Sequence, residues 1–139
     1  MTEGWFDENY WALCDDEKEA QQLTAMYGIS DYLPDHLIVG LRGWDDFILC
    51  NRESQHFTIP TVPLDKQYLE PFDFPAWPMR LEADKKLAGK IKWYVTPVVF
   101  GGDPNAEDNM TWLAPEKHAE FVRWWNDLYR QENAKGKQG

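Results

Sequence analysis

The sequence predicts an α+β fold in a single domain, an antiparallel β-sheet with flanking helices that ends in a long amphipathic helix. Three observations carry this. The 139 residues suit one domain, and 43% of them are hydrophobic, enough for a core at that size. Residues 36–61 hold three runs rich in β-branched and aromatic side chains, separated by gaps so short that neighbouring strands must be antiparallel. Residues 115–130 repeat apolar side chains at helical spacing.

The first element opens at Asp15 or Asp16, either of which suits an N-cap. Glu17 and Glu19 fall in the first turn, where the helix dipole favours anions. Ala20, Leu23 and Tyr27 recur on one face, and Gly28 closes the helix as its C′ residue. The preceding segment, Trp5 to Leu13, reads as either a helical turn or an edge strand. Strands are expected at 36–42 (HLIVGLR), 46–51 (DFILCN) and 56–61 (HFTIPT), and Pro60 and Pro63 end the third because neither can donate to a ladder.

Residues 63–89 show no regular period. Tyr68, Phe72, Phe74 and Trp77 predict an ordered connection held by aromatic packing, not a flexible linker. Residues 90–100 (KIKWYVTPVVF) return to strand composition until Pro97. A tight loop at 101–104 and an irregular stretch at 105–109 follow. Pro115 then fits the first position of the last helix, with His118, Phe121, Val122, Trp125, Leu128 and Tyr129 as its buried stripe. Arg123, Asn126, Asp127 and Arg130 take the polar face, and residues 133–139 read as a disordered tail.

Charge narrows the function. Asp plus Glu number 24 against 14 Lys plus Arg, a net −10. Such a surface repels phosphate backbones and anionic membranes, so neither nucleic acid nor membrane is expected as a partner. The imbalance is uneven. Residues 1–84 carry 17 acids and 5 bases (−12), and residues 85–139 carry 7 acids and 9 bases (+2). One strongly negative face is expected, although acidity of this kind also serves solubility alone. No run of about 18 apolar residues offers a membrane span. The start, MTEGWFDENYW, lacks the basic and apolar regions of a signal peptide. With only Cys14 and Cys50, a disulfide framework is not expected, and the chain is assigned to the cytoplasm.

Catalytic motifs are missing. There is no G-x-S-x-G, no Walker A and no G-x-G-x-x-G, so no catalytic residue, cofactor or metal is assigned. Cys50 reads as a small core residue, and the two thiols have no second pair for zinc. His36, His56 and His118 are too dispersed for a three-histidine site. Asp103, Glu107 and Asp108 lack the calcium-loop ladder and read as turn acids. A small metal-dependent hydrolase using Asp103, Asp108 and His118 is the least favoured reading. Lys85, Lys86, Lys90 and Lys92 are interleaved with Trp93 and Tyr94, a pattern read as charge pairing or strand protection rather than single-strand binding.

Aromatics form 15% of the chain, with eight Trp, six Tyr and seven Phe; most should be core, and some interface anchors. Trp44, Asp45 and Asp46 fall on the tip between the first two strands, and their bland reading is a solvated turn. Together with Asp15, Asp16, Glu17 and Glu19 on the first helix, they are the residues expected to face a protein partner.

Two segments are familiar. YGISDYLPDHLIVGLRGWDDFI, with Tyr27-Gly28 ending a helix and Leu33-Pro34 opening a strand, resembles the start of the SUKH superfamily. FGGDPNAEDNMTWLAPEKHAEFVRWWNDLYR, with a Gly-Gly loop before His118, Glu120 and Phe121, resembles the end of its bacterial immunity members. The likeness covers roughly residues 15–50 and 95–130. It departs at Trp44-Asp45-Asp46, where many relatives carry an Asn-Gly turn, and at Ala114, a poor N-cap. The resemblance implies a non-catalytic binding domain, in bacteria an immunity protein that neutralises a cognate polymorphic or secreted effector toxin. The alternative it implies is an intracellular scaffold or regulator of the same fold.

Overall fold

A six-stranded antiparallel sheet runs in the order of the chain. Its strands are β1 (Thr2–Phe6), β2 (Asn9–Leu13), β3 (Leu37–Arg42), β4 (Asp46–Cys50), β5 (His56–Pro60) and the short β6 (Glu70–Pro71). A separate two-stranded sheet pairs β7 (Ile91–Tyr94) with β8 (Met110–Leu113). Helix α1 (Glu17–Tyr27) links β2 to β3, and α2 (Pro115–Gln138) closes the fold. The computed structural model describes residues 1–75 and 79–138, with side chains as far as 133. Among these, no helix is long and apolar enough to cross a membrane.

The ambiguous segment before α1 is a hairpin. Phe6 pairs with Asn9 across a two-residue turn in which Asp7 and Glu8 both take left-handed φ values of 48° and 68°. That is the turn geometry whose twist matches flanking strands. Helix α1 follows the sequence closely. Asp16 is its N-cap, accepting from the Glu19 N–H at 2.8 Å, and Gly28 ends it at φ 65°, a conformation cheap only for glycine. Thr24 ties it to the sheet: its hydroxyl accepts from the Ile38 N–H at 2.8 Å and donates to the Ala20 carbonyl.

The core lies between one face of the large sheet and a layer made of α1, α2 and β7. Ile38, Leu41, Phe47, Leu49 and Ile59 come from the sheet, Leu23 and Tyr27 from α1, Trp93 from β7, and Ala119 and Val122 from α2. The other face is covered by the connection that leaves β6. Phe72 sits against Trp11 and under the Arg42 guanidinium, and packs on Phe74. At the opposite edge of the sheet Glu82 exchanges two backbone hydrogen bonds with Trp5, at 2.8 and 3.0 Å. The approach is so close that a Cβ on Gly4 would stand 2.6 Å from the Glu82 backbone. Aromatic packing of this connection therefore holds at Phe72 and Phe74. Tyr68 instead is exposed, and Trp77 lies outside the described residues.

Helix α2 differs from expectation in which side it buries. His118, Ala119, Val122 and Asn126 are the fully enclosed positions, whereas Phe121 is 36% exposed and Trp125 half-buried. Asn126, expected on the polar face, is 1% exposed because its amide finds partners inside. It accepts from the Leu64 N–H at 2.7 Å and donates to the carbonyls of Thr61 and Val122 at 2.8 Å each. The helix runs on to Gln138, into the stretch expected as a tail, whose Ala, Lys and Gln are good helix formers.

Candidate functional site

The acids expected to face a partner fall into two groups at opposite ends of the β3–β4 hairpin. Asp16 and Glu17 line a shallow depression with Leu37 and Cys50, the pair that opens the hairpin; Trp44 lies in the loop beyond Arg42 and Asp46, the pair that closes it. The structure does not bring the two groups together.

At the helix end, most of the charge is already engaged. The Met1 ammonium contacts Asp15 at 3.0 Å and Glu19 at 2.6 Å. Its hydrogen bonds to Glu19 and then Asp15 push its pKa up to about 10. Asp15 also accepts from the Thr2 hydroxyl, which with the ammonium holds its carboxyl below the usual range. Asp16 caps the helix, Glu19 accepts from the Asp15 N–H, and Glu17 accepts from Gln21 at 3.4 Å.

At the hairpin turn, Gly43 and Trp44 both adopt positive φ, 61° and 64°. For a residue as bulky as Trp this is costly, and ring packing offsets it. The Trp44 indole stacks on Tyr10 (4.9 Å, 11°) and meets Trp5 and Trp112 edge-on at 5.8 and 5.3 Å. It is half-buried, not an exposed tip. It joins the large sheet to β8, and its buried Nε1 has no hydrogen-bond partner among the described residues.

Asp45 and Asp46 border a groove of about 180 Å³ walled by Pro60, Val62, Trp93, Tyr94 and Val98. The Arg42 guanidinium pairs with Asp46 at 2.9 Å. Asp45 is exposed as a residue, yet enough protein surrounds its carboxyl for desolvation to push its pKa up to about 6. Lys92 opposes that rise and Asp46 reinforces it. At neutral pH the groove therefore offers a carboxylate held by no side-chain hydrogen bond or ion pair among those described, beside a ring-lined wall. A cationic side chain with an apolar stem fits that chemistry.

A second apolar region was not read from the sequence. Val95, Phe121 and Trp124 open onto a cleft between β7–β8 and α2, and Trp124 is 56% exposed. The signal was present: Trp124 sits among Arg123, Asn126 and Asp127, away from the expected stripe. Strand β8 was missed too, because four residues between a loop and a helix show no period.

The other chemistry-bearing residues are dispersed. His118 is wholly buried, whereas His36 packs on Phe57 and His56 on Phe74. Asp103 accepts from the Asn105 N–H at 2.9 Å, the side-chain-to-backbone turn expected of that loop. Burial pushes both thiols up, Cys14 to about 11. Among the described residues no three His, Cys, Asp or Glu side chains stand close enough to hold a metal ion. Comparison of the chain with protein-family models, curated proteins and solved structures finds no match in any of the three.

Proposed function

We propose that this chain is a non-catalytic binding protein of the immunity type, which captures and neutralises a cognate toxin domain. The observation that carries the reading is the groove beside Asp45 and Asp46, where a carboxylate meets rings of β7 and the apolar Val98. A toxin that handles phosphates presents Arg and Lys around its active site, and such side chains suit this groove. The net charge of −10 would steer a basic partner toward the protein. The SUKH-like segments at 15–50 and 95–130 support the same reading. The acids at the start of α1 form a second negative region, with less free charge because Met1 and the helix backbone occupy it.

The test is co-expression with the toxin-like product of a neighbouring gene. Rescue of the host and recovery of a one-to-one complex are expected. A stable complex without rescue would favour a scaffold or regulator of the same fold. Absence of any complex with every neighbouring product would overturn the reading.

A further inference from the structure

Two of the three buried side-chain groups without a hydrogen-bond partner among the described residues, the Tyr10 hydroxyl and the Trp44 indole N–H, belong to rings stacked on each other. Unpaired polar groups in a folded interior cost free energy, so each needs a physical reason. Both rings line one cavity of about 170 Å³, between the β1–β2–β3 end of the large sheet and the layer of α1 and β7. Strand register aims Tyr10 into it. Glu3 pairs with Ala12 and Trp5 with Tyr10, so alternation along the strands puts Glu3, Tyr10 and Ala12 on one face of the sheet. Leu23, Tyr27 and Ile91 complete the cavity over that face. Tyr10 is only 2% exposed, so its hydroxyl does not reach bulk water.

The cavity has two kinds of wall. Ala12, Leu23, Leu41 and Ile91 are apolar, whereas Tyr10, Trp44 and Glu3 form a polar corner. Water can serve the corner but finds no partner along the apolar side. A molecule with an apolar ring and one polar group serves both. Since a cavity of about 150 Å³ holds benzene, the size fits a single six-membered ring. The corner selects the polar group. Burial first, then the charges of Glu3 and Asp84, push the Tyr10 pKa up, so the hydroxyl keeps its proton and can donate. The Trp44 N–H can only donate, and the ligand must therefore carry an acceptor. Glu3 spends one oxygen on the Gly89 N–H at 2.9 Å; its charge repels a second carboxylate, and its other oxygen suits a donor. A neutral hydroxyl both accepts and donates. We propose that this cavity binds a small neutral aromatic alcohol of the phenol type, held by Tyr10, Trp44 and Glu3. It shares no lining residue with the Asp45 groove, so the two sites are tested independently.

Phenol is the probe, and toluene, which has no hydroxyl, is its control. Titration of the full chain followed by NMR should show phenol binding with a Kd of roughly 0.1–1 mM, in keeping with its few heavy atoms. The Trp44 indole N–H signal should move downfield as it gains an acceptor, while that of Trp124, in the outer cleft, should stay. Toluene should bind about tenfold more weakly, lacking the hydroxyl. Tyr10→Phe should weaken phenol by about the same factor and leave toluene unchanged. The variant should melt no lower than wild type, because the hydroxyl it removes has no partner in the free protein. A Trp44 signal unmoved at ~10 mM phenol would overturn the proposal, and so would toluene binding as tightly as phenol. Normal phenol binding by Tyr10→Phe would do the same. A lower melting temperature for that variant would mean that the protein already satisfies the hydroxyl, and would overturn it too.

Discussion

Tyr27 of α1 and His118 of α2 meet in the core with Oη and Nδ1 2.6 Å apart. Both residues are 0% exposed. Burial holds the imidazole neutral, at a pKa of about 3, and pushes the Tyr27 hydroxyl up, so that group keeps its proton. The two neutral groups therefore share one hydrogen bond, and Nε2 has no nitrogen or oxygen partner among the described residues. The Trp93 ring stands perpendicular to the imidazole at 5.2 Å.

Acid sensitivity follows from that pair. The folded pKa of His118 lies below the ordinary 6.5, so the unfolded chain takes the proton first as pH drops. Stability present in full above pH 6.5 should fall toward pH 3, by up to about 1.4 kcal/mol per pH unit. Denaturant unfolding at stepped pH measures it. His118→Gln should lower stability at neutral pH but flatten that slope; an unchanged slope would place the acid sensitivity elsewhere.

Asp45 should act in the opposite sense. Its folded pKa of about 6 exceeds the ordinary 3.8, so the folded chain binds the proton first. The stabilisation is fully present below 3.8 and lost as pH rises through 6. Asp45→Asn should therefore be more stable than wild type at pH 7, by less than about 1 kcal/mol because the residue remains exposed. The advantage should disappear near pH 4. Melting temperatures of the two proteins across that range provide the check, and equal differences at every pH would contradict it.

Asn126→Ala should cost about 3 kcal/mol. It strands the buried Leu64 N–H and Thr61 carbonyl, each worth roughly 1–3 kcal/mol when left unpaired. Urea unfolding tests this, and a loss below 1 kcal/mol would mean that water replaces the amide.

Trp44→Ala should destabilise the free protein by about 2 kcal/mol, less than a fully buried Trp because the side chain is only half enclosed. The contacts with Tyr10 and Trp112 should loosen together. Loss of the Trp44 indole NMR signal with shifts of those of Trp5 and Trp112, at retained far-UV circular dichroism, is the expected signature. A melting temperature within error of wild type would restore the residue to the role of an exposed anchor.

Replacing Asp45 with Asn should slow toxin association more than it speeds dissociation, as rim charges usually do. Rapid-mixing kinetics at two salt concentrations would show it. An on-rate unmoved by both the substitution and the salt would remove the groove from the interface.

Local chemistry determined the elements whose signals lie within a few residues. Asp16 and Gly28 bound α1 because capping and positive φ are properties of single residues with their neighbours. The three central strands were legible because short gaps permit only antiparallel pairing. Pro115 opened α2 for the same kind of reason. Tertiary structure decided the rest. Strand β8 exists because Met110–Leu113 finds β7 as a partner, and four residues carry no period by themselves. Asn126 is buried because Thr61 and Leu64 offer a carbonyl and an N–H at that point of α2, which no helical pattern encodes. Trp44 reads as a turn residue in the chain and is half-buried because Tyr10 and Trp112, far away in sequence, arrive on either side. The two acidic groups read as one surface lie at opposite ends of a hairpin, since charge is counted along the chain whereas its placement is set by strand register.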